Sequence, residues 1–141
     1  MKEKCTGDLR QELMSQADLD QYIKDNEECF MTGNVAAMLT GFYQKKNFSK
    51  AELARRAGMS EVYLHQTFSG RRRPSRDRLL CLCIGMELEL EDIHALLKQA
   101  GYAPIYPKRK RDAIIIYGIF HHTPLTAIND KLFAENEKTL C

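Results

Sequence analysis

Tryptophan is missing from this sequence, and prolines (four) and glycines (eight) are few. Collagen-like and low-complexity chains need far more of the last two, so those classes are excluded. Long apolar runs are also missing. The longest stretch, Ala113–Phe120, falls far short of the ~20 residues that span a bilayer, so no membrane association is expected. Cys5, Cys29, Cys81, Cys83 and Cys141 are odd in number and scattered, which fits free thiols in a reducing compartment better than a disulfide framework. No basic leader followed by an apolar stretch opens the sequence, so a cytoplasmic location is expected. There is no glycine-rich phosphate loop, no metal-ligand spacing and no nucleophile elbow. Cys81 and Cys83 stand two apart, which on a helix turns them to different faces and suits no shared ion. His121–His122 reads as a helix end. No enzyme activity, cofactor, metal or small-molecule ligand is therefore expected.

What is present is an ordinary globular composition: 141 residues, 44% hydrophobic and 28% charged, with a net charge of +2. That suffices for one core without staples. The distribution of charge is more informative than its sum. Residues 1–31 hold four bases against eight acids, whereas residues 44–78 hold ten bases against Glu52, Glu61 and Asp77. An acidic cluster (Glu87, Glu89, Glu91, Asp92) and a basic one (Lys108–Arg111) follow. The second basic cluster lacks context and reads as the start of a solvated helix.

Helical periodicity and punctuation run through the chain. A first helix is expected over Ser15–Glu28, with Leu19, Tyr22 and Ile23 on one side and a loosely ordered segment before it. Met31-Thr32-Gly33 breaks it and Asn34 caps the next, where Val35, Met38, Leu39 and Phe42 make a buried stripe ending near Lys46. Ser49-Lys-Ala-Glu52 reads as a capping box for a short helix to Ala57, ended by Gly58. Ser60 caps a second short helix over Glu61–Ser69, closed by Gly70. Further helices are expected from Pro74–Ser75 to about Met86 and around Leu90–Leu97, closed by Gly101. Pro104 and Pro107 mark a linker. Ala113–Phe120 has strand propensity, yet no other segment offers it a partner, so a helix is favoured. Thr123 and Pro124 open a last helix with Leu125, Ile128 and Leu132 on one face.

The segment Lys50–Phe68 carries the function. Two short helices joined by so tight a turn need a small residue where their backbones meet (Ala54), a turn residue tolerant of positive φ (Gly58), and an apolar clasp (Leu53, Met59, Leu64). From Phe48-Ser-Lys-Ala-Glu-Leu-Ala-Arg-Arg-Ala-Gly-Met-Ser-Glu-Val-Tyr-Leu-His-Gln-Thr-Phe-Ser-Gly-Arg-Arg-Arg to Pro74, the chain resembles the phage-repressor-like (Xre or Cro-type) helix-turn-helix family. It departs from that pattern at Phe68, where a glutamate is usual, and at Lys50, where a glutamine is common.

The resemblance implies an all-α fold: a five-helix lambda-repressor-like DNA-binding core with an N-terminal helix and two C-terminal helices. The expected division is an acidic N-terminal extension at 1–31, a helix-turn-helix domain at 32–101 and a C-terminal helical extension at 102–141 packed on the core. It implies sequence-specific binding of double-stranded DNA and transcriptional regulation by a small standalone bacterial protein. The second short helix would enter the major groove and bring Ser60, Glu61, Val62, His65 and Gln66 to base edges. Gln66 would bond bidentately to adenine and Val62 would touch a thymine methyl. Phosphate contacts would fall to Lys50, Tyr63, Ser69, Arg71, Arg72, Arg73 and Arg76. One such module reads few base pairs, so a homodimer on a palindromic site is implied. The apolar tail (Ile114–Phe120 and Leu125–Phe133) offers a dimer surface or an addition to the core, the second being the commoner use.

Two other readings stand beside this one. Leu53, Ala54, Gly58 and Leu64 argue for a fold and not for an activity, so a protein–protein adaptor with a degenerate helix-turn-helix would show them as well. An antitoxin, binding both DNA and a toxin, would too.

Overall fold

The structure, a computed structural model, describes residues 6–15, 18–25 and 35–141. Among the described residues it is built from helices: α1 (Thr6–Ser15), α2 (Leu19–Asp25), α3 (Val35–Tyr43), α4 (Lys50–Arg56), α5 (Glu61–Phe68), α6 (Arg76–Gly85), α7 (Leu90–Ala100), α8 (Lys110–Phe120) and α9 (Leu125–Ala134). The β-branched run Ile114–Ile116 lies inside α8, so tertiary packing overrides its strand propensity there.

Helix α6 organises the fold. Every residue from Leu79 to Gly85 is buried, because α4, α7 and α9 all pack against it. A helix enclosed on so many sides cannot be amphipathic, and its apolar residues run all round. Cys81 and Cys83 are both core residues for that reason, whichever way they point along the helix. The closest approach of α4 to α6 falls at Gly85, where a Cβ would lie 3.3 Å from the Ala57 backbone nitrogen and 3.2 Å from Leu53 Cδ1. The small residues that let these helices meet are thus Gly85 and Ala57, with Ala54 buried nearby.

One apolar cluster unites α3–α7 with the C-terminal segment, since Ile115, Ile119, Leu125, Ile128, Leu132 and Leu140 join Leu39, Leu53, Leu64 and Leu79 in it. The tail therefore contributes to the core, as a buried helical stripe ordinarily does. Arg111 reinforces the attachment. Its guanidinium donates to both carboxylate oxygens of Asp77 on α6 at 3.1 Å, and to the Lys138 and Thr139 carbonyls at 2.7 and 3.2 Å. Arg111 is thereby turned into the fold, so the second basic cluster is only in part a solvated face. The tail also keeps an outer apolar surface: Tyr117 and Phe120 on α8 are largely exposed.

Several expected boundaries shift. Of the helix expected over Ser15–Glu28 the structure shows α2, Leu19–Asp25, and α1 lies in the segment expected to be loose. Ser15 closes α1, its hydroxyl donating to the Glu12 carbonyl, and Asp18 opens α2 by accepting from the Asp20 amide at 3.0 Å. Of the expected stripe only Tyr22 is buried; Leu19 and Ile23 face outward. The Met31–Gly33 break and the Asn34 cap lie outside the described residues. Helix α3 stops at Tyr43, because Lys45 and Lys46 bond three residues back in a tightened last turn. Thr123 is not the cap of α9: Pro124 holds that position, with no side-chain cap bond.

Candidate nucleic-acid interface

The geometry starts at Ser49, whose hydroxyl accepts from the Glu52 amide at 3.1 Å and opens α4. The reciprocal half of the expected capping box does not form. The Glu52 carboxylate instead accepts from Arg55 Nε at 3.0 Å, from Arg55 Nη2, and from Arg56 Nε at 3.1 Å. Two guanidinium groups are stronger partners for a carboxylate than one amide. The Arg55 and Arg56 hydrogen bonds hold the Glu52 carboxyl well below the usual carboxylate range, at about 2. The positive charge at the end of α4 is partly neutralised within the helix.

The turn follows from one backbone angle. Gly58 adopts φ +64°, and the Met59 amide then bonds back to the Ala54 carbonyl at 3.0 Å. That left-handed step redirects the chain within three residues, and a glycine takes it without a Cβ penalty. Ser60 then caps α5 by accepting from the Tyr63 amide at 3.1 Å. Leu64, Thr67 and Phe68 anchor α5 in the core, with Phe68 against Tyr43 edge to face. Phe68 is thus a packing residue where the resembled family has a glutamate. The opposite face of α5 is left to solvent: Glu61, Val62 and His65 are exposed, as are Ser60 before it and Ser69 after it. Val62 is 67% exposed, an apolar side chain outward on a short helix. Gln66 and Tyr63, half-buried, border this stripe.

All the expected base-reading residues are therefore brought together along one side of α5. The expected phosphate contacts are not equivalent. Lys50 lies at the start of α4, its ammonium 5.1 Å from the Phe68 ring centre and 5.8 Å from that of Tyr43. Arg71 is exposed on the loop after α5. Ser69 donates its hydroxyl to the Gln66 carbonyl. Arg73 and Arg76 are tied to backbone carbonyls across the loop. Arg73 donates to the Ala100 carbonyl at 2.7 Å and stacks on Tyr102, which itself bonds to the Pro74 carbonyl. Arg76 donates to the Ala103 and Pro104 carbonyls at 3.0 and 3.1 Å and lies 3.7 Å from the buried carboxylate of Asp112. Both arginines tie the loop after α5 and the start of α6 to the segment after α7.

Arg72 stays at the stripe. Its Nε donates to Gln66 Oε1 at 3.0 Å, its guanidinium lies 5.1 Å from the Tyr63 ring centre, and its backbone amide bonds the Gln66 carbonyl. Arg78 of α6 reaches the same ring at 5.2 Å. Sequence reasoning missed Arg78, which lies a helix away, and the pairing of Gln66 with Arg72. The signal for the second was the positive-φ Gly70, which folds the loop back so that Arg71 and Arg72 both bond the Gln66 carbonyl.

Two capped helices joined by a glycine turn, the second anchored by its inner face and exposed on its outer one, define a helix-turn-helix within an all-α fold. Residues 27–96 match the model of a helix-turn-helix domain family. No curated protein and no solved structure matches the chain. Among the described residues no cluster of histidine, cysteine and acidic side chains could hold a metal, and no helix is long and apolar enough to cross a membrane.

Proposed function

We propose that this protein binds double-stranded DNA by laying the exposed face of α5 in the major groove, and that it acts as a non-enzymatic bacterial transcriptional regulator in the cytoplasm. The observation that carries this reading is the coincidence of two features on one side of the molecule. Ser60, Glu61, Val62, His65 and Gln66 form an outward stripe, and Arg71 stands exposed on the loop that leads from it. An eight-residue helix is about 12 Å long and about as wide with its side chains, which suits a major groove about 12 Å across. Cations at its borders would meet the phosphates on either side. Residues 32–101 are taken as the DNA-binding domain, with 1–31 and 102–141 as extensions. A homodimer belongs to the same proposal, because one α5 covers too few base pairs for a unique site. Arg73 and Arg76 are left out of the phosphate contacts, since their guanidinium groups already bond backbone carbonyls.

Fluorescence anisotropy with a pool of random duplexes tests the reading. Expected is binding that weakens steeply between about 50 and 200 mM salt, because neutralised phosphates release counterions. Replacing Arg71 by alanine should weaken binding to all duplexes and reduce the salt slope by about one. A wild-type protein that binds no duplex even at the lower salt would refute the reading and favour an adaptor.

A further inference from the structure

We propose that Gln66 and Arg72 form a single reading unit in which Gln66 holds the donor-only edge of Arg72 for guanine, so that Arg72 is a specificity-determining residue and not a phosphate contact. The inference rests on the DNA-binding reading above.

The geometry leaves little choice of chemistry. A guanidinium only donates, so the amide atom 3.0 Å from Arg72 Nε has to be the Gln66 oxygen. That oxygen keeps a second lone pair, so what the bond does is fix the Arg72 fork beside Gln66. Arg72 still offers the edge carrying Nη1 and Nη2, since Nε is engaged. That edge is donor-only and carries a positive charge. Among the base edges of the major groove, guanine alone presents two acceptors side by side, N7 and O6. Adenine and cytosine would each turn an amino group toward these donors, and thymine offers O4 alone.

Three contacts hold the unit in place before any DNA arrives. Arg72 lies over the Tyr63 ring, its Nε bonds Gln66, and its backbone amide bonds the Gln66 carbonyl at 3.2 Å. Fixing Arg72 along the recognition helix lowers the side-chain freedom lost on docking, as a bidentate base-reading fork requires. The exposed Arg71 beside it, for which no such framework is built, shows the contrast.

The experiment is selection of a preferred duplex from a random pool by the full-length protein, followed by anisotropy on that duplex and on a non-selected one. Arg72→Lys keeps the charge but loses the fork, so it separates the two roles. Expected is a loss of roughly 10- to 100-fold on the selected duplex with little change on the other. One selected guanine, replaced by 7-deazaguanine, should give a comparable loss that does not add to that of Arg72→Lys. Gln66→Ala, which frees Arg72 from its anchor, should relax preference at the same position. Retention of full preference by Arg72→Lys would overturn the proposal while leaving DNA binding intact, as would equal weakening of both duplexes by Arg72→Ala. A selected site with adenine at the position protected by this pair would do the same. Wild-type protein that selects nothing and binds no duplex would instead remove the reading on which the proposal stands. Because Arg72 is exposed, its variants should keep the native thermal midpoint, which verifies that folding is not what changed.

Discussion

A Cβ built on Gly118 would lie 2.5 Å from both Cγ1 and Cδ1 of Ile128, so α8 and α9 meet where no other side chain fits. Gly118→Ala should therefore destabilise the fold by about 1–3 kcal/mol through overpacking, read as a shift of the urea midpoint at unchanged slope. Chemical reactivity at single residues follows from burial in the same way. Loss of solvation inside α6, and next the neighbouring Cys141, push the Cys81 thiol up to about 12, and full burial raises that of Cys83 as well. The thiolate is the reactive form. Alkylation mapped by mass spectrometry at pH 8 should accordingly label exposed Cys141 quickly, and Cys81 and Cys83 only after unfolding. Glu52 works in the opposite direction. Its folded-state pKa of about 2 lies below the ordinary 4.5, so its contribution to stability is fully present above pH 4.5 and is lost as pH falls toward 2. Glu52→Gln should flatten that acid limb in a pH series of thermal melts, and because the group is solvent-screened the difference should shrink with added salt.

Helices α4 and α5 are each held at their start by one serine. Ser60→Ala removes the side-chain bond that caps the start of α5 and should cost about 1 kcal/mol, measured by denaturant unfolding. These elements were the most legible part of the sequence, because a cap, a turn glycine and an apolar anchor are local signals. Ser49, Gly58, Ser60 and Gly70 each do in the structure what their positions suggest. What was misread turns on charged partners or on partners distant in sequence. Glu52 turns to Arg55 and Arg56 instead of closing its box, since charged donors outcompete an amide. The α4–α6 approach depends on Gly85, which no local pattern ties to Ala57. Likewise Arg73 and Arg76 read as two more members of a basic exit loop. Only the fold shows that the Ala100, Ala103 and Pro104 carbonyls lie within their reach.

At the scale of the whole molecule, helix-turn-helix and tail share one core. Ile115, Ile119, Leu125, Ile128 and Leu132 line the same cluster as Leu53, Leu64 and Leu79, and Leu140 closes it. A Cβ built on Gly58, at the turn before α5, would lie 3.2 Å from Cys141 Sγ and 3.5 Å from Leu125 Cδ2, so the tail packs against the turn that leads into the recognition helix. A chain ending at Gly101 would expose that apolar surface and lose the Arg111–Asp77 clamp. It should show no cooperative thermal transition, whereas the full chain should melt in one step. The charge asymmetry also belongs to this scale. The basic surplus of residues 44–78 is thinned by ion pairing of Arg55 and Arg56 with Glu52 and of Arg76 with Asp112, which leaves a concentration of charge at Arg71, Arg72 and Arg73, just after α5.

That concentration makes one measurement decisive: amide chemical-shift mapping of the full-length protein titrated with a duplex of about 20 base pairs, long enough for two half-sites. Shifts that gather on Ser60–Arg72 and at Lys50, and spare α8 and α9, are the expected result. Shifts centred on α8 and α9, or none at low salt, would contradict the assignment of α5 as the DNA-reading helix.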